Sequence, residues 1–163
     1  MSNINQYKHI SAHPNCEVKI HLSNNQNGLF ATSSFLKGDI IIDFGASEIV
    51  DSPNYLTVQV AECKHIHLTP DYLQYINHSC EPNVLFNTTT MQLECLTNIE
   101  IGDELTFFYP ATEWLIAQKF NCHCGEPTCI GLIQGAANVP SDILKRYKLT
   151  DFIKSMLQKH NSF

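Results

Sequence analysis

Three cysteines, Cys122, Cys124 and Cys129, fall in FNCHCGEPTCIG with the spacing C-x-C-x4-C, and Gly125 and Pro127 turn the chain between them. A knuckle this short can aim three sulfurs at one point. Structural zinc takes four nitrogen or sulfur ligands in a tetrahedron, with thiolates at about 2.3 Å. The knuckle is one ligand short. Cys16, Cys63, Cys80, Cys95 and the histidines are the candidates, and His123 is disfavoured because both its neighbours are already ligands. A second group of reactive residue types lies in YINHSCEPNV, where Asn77, His78 and Cys80 sit close together. His78 and Cys80 could be half of a nucleophilic site, since side chains two apart on a strand share a face. They could equally be half of a metal site, or neither.

The elements that carry these residues read mostly as short strands. From Asn27, NGLFATSSFLKGDIIIDFGASEIV gives strand, loop, strand, with Lys37-Gly38-Asp39 as the turn. YLTVQV and KHIHL alternate in strand fashion. Thr69-Pro70-Asp71 opens a turn or short helix, with proline at its first position. NVLFNTTTMQLECLTNI predicts a hairpin around Asn87 to Thr90, and EIGDELTFFY a turn into a strand ending at Tyr109. Only the end turns helical: SDILKRYKL and TDFIKSMLQKH each open on Ser/Thr-Asp, a good capping pair, and predict two short helices packed back on the domain.

Composition bounds the partners. With 163 residues, 44% apolar and 16% charged, the chain can bury the core of one domain. A net charge of -6 with no Lys/Arg block argues against a sequence-independent grip on nucleic acid and suits a basic, lysine-bearing peptide better. Seven cysteines, odd in number and unevenly spaced, fit reduced thiols better than a secreted disulfide framework. MSNINQYKHI has neither a basic nor an apolar leader region, and no run of about 18 apolar residues follows. The expectation is a soluble intracellular protein without a membrane role, cytoplasmic or nuclear, or host-directed if it comes from a pathogen.

Several separated motifs agree on one family. NHSCEPN (77–83), GDELTFFY (102–109), CHCGEPTC (122–129) and GLFATSSFLKGDIIIDFG resemble, in the same order, the motifs of the SET-domain protein lysine methyltransferases and their cysteine-rich post-SET segment. The resemblance implies a mostly β fold of small curved sheets with a knot-like C-terminal threading. It divides the chain into an N-terminal extension (1–15), a SET domain (16–110), a post-SET zinc-binding segment (111–133) and a C-terminal helical tail (134–163).

It also implies roles. Cys80 becomes the fourth ligand of a structural zinc beside Cys122, Cys124 and Cys129. Asn77, His78 and Tyr75, with the backbone of Gly28, Leu29 and Phe30, would hold S-adenosylmethionine. Tyr109 would be the catalytic residue, where the methyl group and the lysine amine meet. Phe107 stands at the position that governs how many methyl groups are added, and phenylalanine there favours more than one. Phe107, Tyr55, Phe44 and Trp114 are candidates for the lysine channel. The chain departs from the family pattern at Gln26, where a glycine is usual, at Gln74, where arginine is common, and at Phe108, where aspartate is common. The implied activity is methyl transfer from S-adenosylmethionine to the ε-amine of a protein lysine. The alternatives are an inactive, zinc-stabilised interaction domain and a cysteine hydrolase built on His78 and Cys80.

Overall fold

A computed structural model describes residues 6–160 and carries five small sheets. The first holds β1 (Tyr7–His13), β2 (Cys16–His21) and β3 (Asn27–Ala31), with β2 in the middle. Pro14 and Asn15 close the β1–β2 hairpin between the paired His13 and Cys16. Proline presets one turn position, and Asn15 takes the other with φ 62°, a conformation asparagine tolerates. Two of these strands lie before the first one expected from the sequence, and β1 falls within the stretch read as an extension. Cys16 and Val18 alternate with more exposed neighbours in β2, which is a strand signal, whereas β1 is an exposed edge with little apolar patterning. Residues 1–5 of the expected extension and 161–163 of the expected tail lie outside the described residues.

The middle of the chain supplies β4 (Ile40–Asp43), β5 (Gly45–Val50), β6 (Thr57–Ala61) and β7 (Lys64–Thr69), and then a short 3-10 turn over Asp71–Tyr75. A two-residue pair, β8 (Asn77–His78), is followed by the hairpin β9 (Val84–Asn87) and β10 (Gln92–Cys95). β10 lies between β4 and β9, and β7 between β5 and β6. The sheets enclose one core around Leu29, Ile66, Leu73, Phe86, Leu93 and Leu105, each at most 1% exposed.

β11 (Thr106–Phe107) runs parallel to β8, pairing Thr106 with Asn77 and Phe107 with His78. So short a ladder needs reinforcement. Asn83 provides it: its Oδ1 accepts the Thr106 N–H at 2.8 Å, its Nδ2 donates to Glu104 O at 2.8 Å, and its own N–H donates to Thr106 O at 3.1 Å. Beyond Tyr109 come β12 (Phe120–Asn121) paired with β13 (Leu132–Ile133), then α1 (Ser141–Leu144) and α2 (Asp151–Lys159).

The C-terminal part forms a second core. Phe108 and Leu85 pack there with Leu144, Leu149, Ile153 and Leu157. Phe108, which stands where aspartate is common in the family pattern, is 1% exposed and stacks on Tyr147 at 3.6 Å and 3° between planes. The first expected helix stops after Leu144. Leu144 and Tyr147 share a helical face but Leu149 does not, and leaving the helix lets Leu149 bury beside them. α2 keeps the expected span, capped by Thr150, whose Oγ1 accepts the Ile153 N–H at 3.3 Å. Among the described residues no helix is long and apolar enough to cross a membrane.

Because Ile153 is fully buried against Phe108 and Leu85, Ile153→Ala is expected to cost about 2–5 kcal/mol. Urea unfolding should show that loss in a single transition. A separate early transition for the tail would show that it does not belong to the same cooperative unit.

Candidate active site

A cleft of about 1210 Å³ gathers Gly28, Tyr75, Asn77, His78, Phe107 and Tyr109, residues drawn from three separate stretches of chain, with Tyr55 at its mouth, 87% exposed. Tyr109 follows directly after β11 and Phe108. Its ring centroid lies 4.6 Å from that of Phe107, 5.1 Å from His78 and 5.8 Å from Phe120. Burial first, then the Glu113 charge, pushes the Tyr109 hydroxyl up to about 12, so it stays protonated across the physiological range.

His78 joins this aromatic pocket to the cysteines. Its Nδ1 accepts the Tyr109 backbone N–H at 3.2 Å, which leaves the ring proton on Nε2. Nε2 stands 3.4 Å from the Cys80 sulfur, placed to donate to it. Burial holds the imidazole down to about 4, so it is neutral at physiological pH. His78 and Cys80 therefore do not diverge: one ring spans the Tyr109 backbone and a cysteine ligand.

Cys80, Cys122, Cys124 and Cys129 converge so that their sulfurs all lie within 4.8 Å of one another, with Cys80 and Cys122 at 3.9 Å. A tetrahedron with metal–sulfur bonds of about 2.3 Å has sulfur–sulfur edges of about 3.8 Å, so the donor set fits zinc. Burial pushes the Cys80 thiol up and Cys122 to about 11. At Cys124 burial is outweighed by hydrogen bonds from backbone amides and neighbouring thiols, leaving it at about 7. A cation would relieve the burial cost at Cys80, Cys122 and Cys124. Gly125, between ligands, and Gly131, two residues after the last one, take φ 77°, the left-handed conformation that lets the chain turn sharply. Cys122 N–H donates to Gly131 O at 2.8 Å, and β12 leads straight from there to Phe120. Tyr147 closes the far side, its hydroxyl donating to Cys80 O at 2.8 Å.

The other end of the cleft is polar. Asn77 Nδ2 donates to Asn27 O and to Glu104 Oε1, both at 2.8 Å, and its Oδ1 accepts from Gln26 Nε2 at 3.1 Å. Burial raises the Glu104 carboxyl above its usual range, with the Asn77 hydrogen bond and the His21 charge opposing. A Cβ on Gly28 would stand 2.7 Å from Glu104 Oε1 and press on the carboxyl that Asn77 holds. Gln26, in place of the usual glycine, lines the cleft and is tied to Asn77, and Gln74 lines it as well.

Four expected site residues lie elsewhere. Leu29 and Phe30 are 0% and 5% exposed, and their backbone is taken up by β2 on one side and the Asp103–Leu105 segment on the other, so only Gly28 of that trio reaches the cleft. Phe44 packs edge-on against Phe86 at 5.3 Å in the main core. Trp114 turns to a separate cavity and stacks on His160 at 5.1 Å. Aromaticity alone could not separate channel from core. Tyr7, His21, Gln26, Glu104, Glu113 and Phe120 were missed, although Glu104 stood inside a quoted motif. Tyr7 and His21 were missed together with their strands.

The sequence pattern described as "SET domain" matches residues 26–110, and the chain belongs to that family. It is 42% identical over 105 residues to "Methyltransferase flvH" of Aspergillus flavus, covering 63% of this chain and 58% of that protein. It is 38% identical over 68 residues to the "Histone-lysine N-methyltransferase, H3 lysine-36 specific" of Schizosaccharomyces pombe, covering 38% of this chain and 8% of that protein. The chain therefore spans little more than half of one relative and a small part of the other. Its fold resembles a crystal structure of KRYPTONITE in complex with mCHH DNA, H3(1-15) peptide and SAH, with TM-score 0.55 and 18% identity over 76% of this chain and 30% of that one.

Purified protein is expected to hold about one zinc ion per chain by atomic absorption. Cys124→Ser should lose it, while Cys95→Ser, buried in the main core, should keep it. Unchanged metal in Cys124→Ser would remove Cys124 from the site.

Proposed function

We propose that this chain is an S-adenosylmethionine-dependent protein-lysine N-methyltransferase with a structural zinc. The observation that carries it is the pocket of Phe107, His78 and Phe120 around a half-buried, protonated Tyr109, inside a cleft large enough for a cofactor and a side chain. The methyltransferase names of the relatives and the SAH in the similar structure support the reading. S-adenosylmethionine, when bound, supplies an activated methyl group on a sulfonium, so the protein needs no strong nucleophile of its own.

The cleft suits such a ligand chemically. Glu104 offers a carboxylate and Asn77 an amide for a charged head, and aromatic rings stand at the other end. On this reading Gly28, Asn77, His78 and Tyr75 hold the cofactor and Tyr109 borders the reacting atoms. In-line displacement requires the amine held aligned at about 3 Å with water excluded. Three aromatic rings around Tyr109 limit the access of water. They also disfavour the ammonium form of a lysine whose unperturbed pKa is about 10.4. The Tyr109 hydroxyl then orients the neutral amine. Zinc would act at a distance, fixing β12 and so holding Phe120 over Tyr109; a closed shell of four thiolates has no position for a reacting water.

The substrate we infer is a basic, lysine-bearing peptide. Glu81, Asp103, Glu104 and Glu126 line the cleft, against Lys119 as its lysine. The H3 peptide bound in the similar structure points the same way.

Tyr109→Phe should bind the cofactor nearly as wild type and lose about 10²-fold in turnover, the scale for one hydrogen-bonding group at the reacting atoms; normal turnover would remove Tyr109 from its role. Phe107→Tyr adds a hydroxyl beside Tyr109 and should shift the products toward monomethyl-lysine, read by mass spectrometry of a reacted peptide. No saturable cofactor binding to zinc-loaded protein would favour the inactive interaction domain instead.

A further inference from the structure

Glu113 and His65 are buried, at 6% and 3% exposure, and neither has a part in the reaction so far. The Glu113 N–H donates to Tyr109 O at 3.0 Å and closes one turn of helix type, so two side chains four residues apart leave it on the same side. Glu113 lines the same cleft as Tyr109. Its Oε1 is fixed by the Gln59 N–H at 2.9 Å and the Thr112 hydroxyl at 3.1 Å. Its Oε2 faces His65 Nδ1 at 4.0 Å. That nitrogen is the one buried side-chain N or O without a hydrogen-bond partner among the described residues. His65 lines a second cavity of about 330 Å³ that the main reaction does not use. The pair thus forms a wall with a carboxyl on the cleft side and an imidazole on the other.

We propose that Glu113 and His65 are a proton path from the amine beside Tyr109 to the second cavity, a role that rests on the methyltransferase reading. Each methyl transfer to a lysine ammonium releases one proton, and the aromatic rings around Tyr109 leave little room for water to carry it off. Glu113 first passes its carboxyl proton to His65 Nδ1 by a side-chain rotation that closes the 4.0 Å gap. The freed carboxylate takes a proton from the ammonium, leaving a neutral amine with its lone pair available. The imidazole, protonated on both nitrogens, releases the Nε2 proton to water in the second cavity, and a flip of the ring then turns Nδ1–H to that water, where exchange returns the starting tautomer. One proton moves from ammonium to solvent, and no electrons change hands.

The electrostatics suit transit. Burial raises Glu113 to about 8, so it rests protonated at neutral pH, and burial lowers His65, so it does not retain the proton. The groups around the pair are few. Tyr109 shares the Glu113 turn, the Asp51 charge favours protonated His65, and Glu62, Cys63 and His160 line the second cavity, with Glu62 bonded to Lys159.

The test compares full-length zinc-loaded wild type, Glu113→Gln and His65→Ala on an array of lysine-bearing peptides, with melting and cofactor titration on each. Glu113→Gln keeps the acceptor for Gln59 and Thr112. It should lose about 10²-fold in kcat with unchanged cofactor binding, and lose the rise in kcat through about pH 8 that the wild type shows. His65→Ala should fall similarly and be restored severalfold by added imidazole, the more so by the more basic imidazoles. His65→Gln replaces it if the alanine variant melts at assay temperature, and should fall in the same way. A Glu113→Gln protein with wild-type kcat and pH profile, a folded His65→Ala protein that imidazole leaves inactive, or an unimpaired His65→Gln protein overturns the path. Absence of turnover in the wild type overturns the methyltransferase reading, and the path with it; turnover in the wild type leaves only the path at stake.

Discussion

One imidazole holds the site together. His78 accepts the backbone N–H of Tyr109 on Nδ1 and stands with Nε2 against the Cys80 sulfur, so the residue proposed to border the reacting atoms and a ligand of the candidate metal centre share one ring. The ring can do this only while neutral, and burial keeps it so. A metal at the four thiolates would strengthen the arrangement, because a thiolate accepts from Nε2–H better than a thiol does and the accepted bond fixes the ring's tautomer. From there the coupling is covalent and short: Cys122 directly follows β12, and β12 carries Phe120 onto Tyr109 and His78.

The second core supports the same ring from behind. Phe108 lies 5.6 Å from His78 on one side and is stacked on Tyr147 on the other, and the Tyr147 hydroxyl reaches the Cys80 carbonyl. An aspartate at 108 would put a charge among Leu85, Leu144 and Ile153, where desolvation would cost several kcal/mol. The departure from the family pattern is thus matched by the tail that covers it. At the other end of the cleft Gln26 is matched in the same way, since its side chain is bonded to Asn77.

Part of the candidate site was legible in the sequence because its motifs are short. The knuckle places three cysteines within eight residues, the resemblance supplied Cys80 as the fourth, and Asn77, His78, Tyr109 and Phe107 come from motifs only a few residues long. What was not legible depends on tertiary packing. Phe44 and Trp114 carry no local mark that separates a channel wall from core, and only the sheets show that one faces Phe86 and the other His160. Leu29 and Phe30 follow a glycine that does reach the cleft, but a strand turns successive residues to alternate sides and its backbone is fully paired. β1 has almost no apolar periodicity, so Tyr7 and its place in the cleft could not be read. Glu113 and His65 lie in different elements and meet only after β7 packs against the Tyr109 turn.

The parallel pairing of β8 with β11 carries a consequence for how the molecule is made. It joins segments separated by a whole hairpin, and Cys80 must wait for partners 42 or more residues later, so both closures are non-local. During synthesis, the first sheets can form while the chain is still emerging, yet the cleft cannot close until the cysteine knuckle has left the ribosome. Phe108 and Leu85 stay uncovered longer still, until α2 arrives. The interval between those events is when this chain is most exposed to aggregation, and the length of the C-terminal segment sets how long it lasts.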